Sequence, residues 1–242
     1  MNSSITSAYR PLLRAVSAFL IAIAALAAMP GNAHAQLYVT QLVGFGPAGI
    51  VSEYDAHSAG TVINANFVTG LNAPVGLAVK GNTLYVANQS SGTVSAYDAT
   101  TGAAAPKFTT ITGLKKPTGL AVTGNTLYVS TSSDGTVGAY NTDTGAVQPF
   151  FTTITGLSKP AGLAVAGNIL YVANFGTKFG AGSVGAYDAE EGGAFNANFI
   201  TGLNQPVGLA VASVPEPSTW SMIAVGGMAL LGMMLRKKRH AV

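Results

Sequence analysis

An all-β fold, a small β-propeller of four blades with four antiparallel strands each, is predicted by three features of the 242-residue chain. One phrase recurs four times: Pro74-Val75-Gly76-Leu77-Ala78-Val79, Pro117-Thr118-Gly119-Leu120-Ala121-Val122, Pro160-Ala161-Gly162-Leu163-Ala164-Val165 and Pro206-Val207-Gly208-Leu209-Ala210-Val211. Its prolines are 43, 43 and 46 residues apart, a period that points to propellers or solenoids. Each repeat also holds four short β-prone runs separated by turn residues, and residues 36–213 show no sustained helical period.

Taken in order, the units span 37–79, 80–122, 123–165 and 166–211. Gly-Leu-Ala-Val is a short apolar first strand. Gly81-Asn82, Gly124-Asn125 and Gly167-Asn168 follow it as two-residue hairpin turns. The second strand is Leu84-Tyr85-Val86, with equivalents Leu127-Tyr128-Val129, Leu170-Tyr171-Val172 and Leu37-Tyr38-Val39. Val94-Ser95-Ala96-Tyr97, Val137-Gly138-Ala139-Tyr140 and Val184-Gly185-Ala186-Tyr187 form the third. The fourth is expected over Phe108 to Thr112 and its counterparts. Residues 80–122 and 123–165 share 29 of 43 positions, so one geometry must serve both.

The repeat region begins on a second strand and ends on a first strand. A C-terminal strand over 208–211 would then complete the blade opened by 37–39, leaving no exposed sheet edge. Two chains sharing an eight-bladed ring, or an open array, are the alternatives. The phrase order resembles NHL-type repeats, a resemblance that covers nearly all of residues 36–213.

The two ends read as export signals. Arg10 and Arg14 precede an apolar run from Ala15 to Ala28, and Pro30-Gly31 leads to Ala33-His34-Ala35. That order predicts a signal peptide over 1–35, cleaved after Ala35 to leave Gln36 first. At the other end Val214-Pro215-Glu216-Pro217 leads into an uncharged run from Trp220 to Leu235, closed by Arg236-Lys237-Lys238-Arg239. At about 1.5 Å per residue a helix over about 219–235 approaches the thickness of a bilayer core, and the four cations act as a stop with a cytoplasmic end.

Residues 214–242 resemble a PEP-CTERM sorting tail. The resemblance implies signal peptidase and a membrane-embedded exosortase as processing partners, an inner-membrane intermediate, and final delivery to the cell surface or the medium.

Charge supports that division. The chain carries +3 overall, with six of its twelve cations in the two terminal signals. Residues 36–213 hold six lysines against eight acids, a net −2, so no nucleic-acid partner is expected.

That segment contains one histidine, His57, and neither cysteine nor arginine. A Ser-His-Asp triad would need His57, which sits in the exposed turn Asp55-Ala56-His57-Ser58. Asp55, Asp98, Asn141 and Asp188 precede Gly-ended turns, where such side chains cap their own backbone. Asn88 and Asn174, set against Ser130 and Thr40, are expected near the mouth of the ring. With no acid beside them, neither a metal nor any other cofactor is expected.

Units one and four carry longer loops between strands two and three, 41–49 and 175–182. Phe45, Phe175 and Phe179 with Lys178 and Asn174 make them candidate ligand-binding loops, with rings able to stack on a sugar or grip a peptide. Glu53 replaces the alanine found at 96, 139 and 186. The reading is a non-enzymatic, exported binding or structural protein that contacts exopolysaccharide or matrix protein. A secreted NHL-like lyase or lactonase is the alternative.

Overall fold

A computed structural model describes residues 35–212 apart from 45 and 59. The expected signal peptide up to residue 34, the sorting tail with the helix expected in it, and Phe45 lie outside the described residues. The chain divides into two compact units, Met1–Val39 with Ser52–Ala65, and Thr40–Val51 with Asn66–Val242.

Thirteen strands and no helix occur among the described residues. They are β1 Gln36–Leu42, β2 Ala48–Asp55, β3 Val62–Asn72, β4 Pro74–Lys80, β5 Thr83–Asn88, β6 Thr93–Asp98, β7 Pro117–Thr123, β8 Thr126–Thr131, β9 Thr136–Asn141, β10 Pro160–Ala166, β11 Ile169–Asn174, β12 Gly182–Asp188 and β13 Ala194–Leu203. Four sheets result, in the orders β1-β2-β3, β4-β5-β6, β7-β8-β9 and β10-β11-β12-β13. The all-β class and the phase of the repeat follow the expectation, because the first sheet starts on a second strand.

The tight hairpins are set by sequence. Lys80 pairs with Thr83 across Gly81-Asn82, and Gly81 takes the left-handed φ of 54° that a two-residue turn requires. Beyond it, β5 is buried along nearly its whole length as the middle strand of its sheet. Tyr85 and Ala87 pack with Leu120, Leu127 and Val129 of the next sheet. Tyr128 likewise joins Leu163, Leu170 and Val172. At roughly 25 cal/mol per Å² of apolar surface, such sheet-to-sheet burial is the main stabilising contribution within the larger unit.

The fourth strands differ from expectation in the middle repeats. Residues 108–112 form no strand; only the isolated bridges Tyr97↔Ala104 and Val94↔Ile111 remain, and Tyr140↔Val147 and Val137↔Ile154 repeat them. Pro106 and Pro149 lie between the bridges, and a proline has no N–H to give to the ladder. The first and fourth repeats have Asn64-Ala65-Asn66 and Asn196-Ala197-Asn198 there, and their fourth strands run unbroken through β3 and β13.

Residues 206–212 carry no strand assignment. A Cβ on Gly208 would meet nothing within 4 Å, whereas its counterparts lie against the next repeat.

In the smaller unit, Asp55 Oδ1 accepts the amides of His57 (2.7 Å) and Ser58 (3.2 Å), and the Ala35 amide donates to His57 Nδ1 at 3.3 Å. The carboxylate is thus engaged with its own turn. Glu53 is buried at 4% exposure, and desolvation raises its carboxyl above the ordinary glutamate value.

Candidate functional site

In the larger unit the first strands β4, β7 and β10 and the segment 206–209 converge on a cavity of about 490 Å³. Their recurring glycine makes this possible. A Cβ at Gly76 would sit 2.1 Å from the Thr118 carbonyl oxygen, one at Gly119 2.0 Å from that of Ala161, and one at Gly162 2.5 Å from that of Val207. Only glycine lets each backbone approach the next so closely. The proline before it is entered through a residue of left-handed φ, namely Ala73, Lys116, Lys159 and Gln205, at 50–55°. Its carbonyl accepts the amide that follows the second strand: Gln89 to Ala73 at 2.9 Å, Ser132 to Lys116 at 3.0 Å and Phe175 to Lys159 at 3.1 Å. Those bonds hold Gln89, Ser132 and Phe175 at the rim.

The floor is apolar or small, with Val75, Leu77, Leu120, Ala161, Leu163 and Leu209 exposed to the cavity, and Lys159 is the one ionisable residue among the described residues that line it. Thr118 lines it too and is fixed by a hydroxyl cluster. The Gly119 amide donates to Ser130 Oγ (2.8 Å), which donates to the Ala161 carbonyl (2.8 Å), while Thr118 Oγ1 donates to the Pro160 carbonyl (2.9 Å). Ser130, fully buried, joins two repeats from within.

Of the four described loop residues singled out, Phe175 alone lines this cavity. Asn174 is buried and lines a different cavity of about 350 Å³, with its Nδ2 donating to Ser183 Oγ at 3.3 Å. Its Oδ1 is buried without a hydrogen-bond partner. Lys178 and Phe179 are exposed, Phe179 at 77%. Register corrects the matching made from sequence: Asn88 faces Pro74 and Thr131 faces Pro117, so Thr131 rather than Ser130 is the counterpart of Asn88. Asn88 is buried, and its Oδ1 accepts the Asn72 amide at 3.3 Å.

Sequence reasoning passed over Gln89, Ser132 and Lys159. The available signal was divergence, since Gln, Ser and Phe occupy one repeat position inside otherwise matching phrases. The turn reading of the repeated acids holds in the geometry. Asp98 Oδ1 accepts Thr100 and Thr101 amides, Asn141 Oδ1 those of Asp143 and Thr144, and Asp188 Oδ1 those of Glu190 and Glu191.

The family model of outer membrane protein assembly factor BamB matches residues 47–202. The PEP-CTERM protein-sorting motif matches residues 213–239, which implies export and sorting to the cell surface by an exosortase. No curated protein matches the chain.

Among solved structures, the computationally designed Ika8 protein is 17% identical, with 72% of this chain and 52% of that chain covered at a TM-score of 0.52. A functionally unknown protein from Desulfotomaculum acetoxidans DSM 771 is 16% identical, covering 73% and 56% at a TM-score of 0.55. Hydrazine synthase of Kuenenia stuttgartiensis is 20% identical, covering 67% and 48% at 0.50. This chain spans about half the length of these structures. At such identities the likeness is one of fold. With a family model that covers well over half of its length and four sheets built on the repeated phrase, the chain belongs to the BamB family of β-propeller repeat proteins.

Proposed function

We propose that residues 36–213, released by signal peptidase after Ala35 and by exosortase at the Val214-Pro215-Glu216-Pro217 motif, form a non-enzymatic binding module of the cell surface or extracellular matrix. The uncharged run over 219–235 and Arg236 to Arg239 hold the inner-membrane intermediate. The ligand is exopolysaccharide or a matrix protein, taken at the first-strand cavity.

The lining of that cavity supports this reading: an apolar floor, neutral hydrogen-bonding groups from Gln89, Ser132 and Thr118, an aromatic rim at Phe175, and one cation. Such a surface suits stacking and hydrogen bonding to a neutral or weakly anionic chain. Among the described residues that line it there is no carboxylate, imidazole or thiol to act as base, nucleophile or metal ligand.

The secreted protein with Phe175→Ala is expected to be retained on isolated exopolysaccharide about tenfold less than wild type, with its circular dichroism unchanged. Equal retention would dismiss the cavity as the contact. A stoichiometric divalent ion found by metal analysis would favour a lyase or lactonase instead. Mass spectrometry of the secreted form should give Gln36 at one end and a cut near Val214 at the other.

A further inference from the structure

Two neighbouring inter-repeat grooves within the larger unit are built from equivalent positions, and only one of them is filled. Between the second and third repeats the Lys80 side chain lies in the groove. Its Nζ donates to Asn125 Oδ1 (2.9 Å) and Thr142 Oγ1 (2.7 Å) and lies 3.7 Å from Asp143 Oδ1. Between the third and fourth repeats the residue equivalent to Lys80 is Thr123, which is too short to span the gap. An open groove of about 470 Å³ remains there.

The groove keeps two of the three groups that bind the Lys80 ammonium. Asn168 stands for Asn125 and Glu190 for Asp143, both lining the space, while Ala189 replaces Thr142. The Glu190 carboxylate has no ion-pair partner among the described residues. Exposed Phe150, at 87%, takes the place of Lys107 at the mouth. The filled groove thus has two lysines and one acid at these positions, whereas the open one has an acid and an aromatic ring. Its walls are fixed, because Gln148 Nε2 donates to the Asn125 carbonyl at 3.0 Å and the Tyr128 hydroxyl donates to the Ala189 carbonyl.

We propose that this groove is a second binding site, at the opposite end of the first strands from the cavity above, that receives a lysine side chain from an extracellular partner protein. The filled groove shows what fits: an unbranched alkyl stem ending in an ammonium. In the open one the ammonium meets Asn168 and Glu190, and the alkyl stem packs along the Phe150 ring at the mouth.

The test is titration of the full secreted protein with N-α-acetyl-lysine methylamide, followed by the amide resonances of Asn168 and Glu190. These signals should shift saturably, less so at high salt. Glu190→Gln should lower the affinity about tenfold. Thr123→Lys should abolish binding while raising the melting temperature, since it supplies internally the ammonium that Lys80 supplies next door. Absence of any shift in wild type, or titrations unchanged in both variants, would overturn the proposal. So would a glucosamine oligomer that shifts these signals where the lysine amide does not, because the ligand would then be an amino sugar.

Discussion

Gly76, Gly119 and Gly162 each lie against the next repeat's backbone in the same way, whereas the fourth strands of the same repeats differ in length and continuity. At the first-strand edges the contacts are between main chains, so little variation is tolerated, and the Pro-x-Gly phrase repeats unchanged. At the fourth-strand edges the contacts end in solvent. There a proline at 106 or 149 reduces a strand to two bridges, while the repeat without it carries the ten residues of β13. Tolerance therefore increases from the first strand outward, and substitutions can probe it in that order.

The largest effect belongs to the first-strand edge. Gly119→Ala places a methyl group 2.0 Å from the Ala161 carbonyl oxygen, a main-chain atom that cannot move alone. The expected cost is about 3 kcal/mol or more in chemical denaturation. Gly208→Ala, in the same phrase but with open space around it, should change stability by less than about 0.5 kcal/mol. Equal losses at both positions would break the comparison, because the glycine would then be serving backbone conformation rather than close approach.

Halfway out, the second-strand tyrosines tie each sheet to the next. Tyr85 Oη donates to the Thr142 carbonyl at 2.8 Å, and Tyr128 Oη to that of Ala189. Tyr128→Phe leaves a buried carbonyl without its donor and should cost about 1–2 kcal/mol. Tyr171, which follows the last such interface and packs on Phe199 at a ring separation of 5.6 Å, has no such acceptor among the described residues, so Tyr171→Phe should be close to neutral. Thermal melts of the two variants side by side sharpen the contrast. Burial raises the Tyr128 phenol above its ordinary value, the Asp188 and Glu190 carboxylates add to this, and the Thr126 hydroxyl opposes it. The tyrosine thus stays a neutral donor throughout the working pH range.

The same gradient explains what could be read in advance. Strands one to three and their hairpins were legible because glycine, proline and alternating apolar residues act within a few positions. The Asx turns were legible for the same reason, since Asp98 binds amides two and three residues on. The cavity rim was not, because Gln89, Ser132 and Phe175 come together only after separate repeats stack. Nor was the open groove, where the informative change is Thr123 in place of a lysine 43 residues earlier, whose ammonium reaches across to the next sheet. Interrupted fourth strands lie between these cases, for Pro106 and Pro149 were visible but were outweighed by the β-branched run that follows them.

The smallest effect lies at the outer turns, where the second and third repeats form a natural pair. Asp98 and Asn141 accept the same two amides, yet only Asp98 titrates. Its carboxyl is held below the ordinary aspartate value, first by the Thr101 amide and then by the Thr101 hydroxyl, with the Thr100 amide and Asn82 side chain assisting against desolvation. A carboxyl lowered in the folded state binds protons more readily when unfolded. Its stabilisation is therefore complete above the ordinary carboxylate range and is lost as pH falls through the native value. Asp98→Asn should leave the melting temperature at pH 7 nearly unchanged, since asparagine already serves at 141, and should flatten its fall between about pH 5 and 2. An unaltered acid slope would show that Asp98 caps its turn no better ionised than protonated, and the two outer turns would then differ in sequence alone.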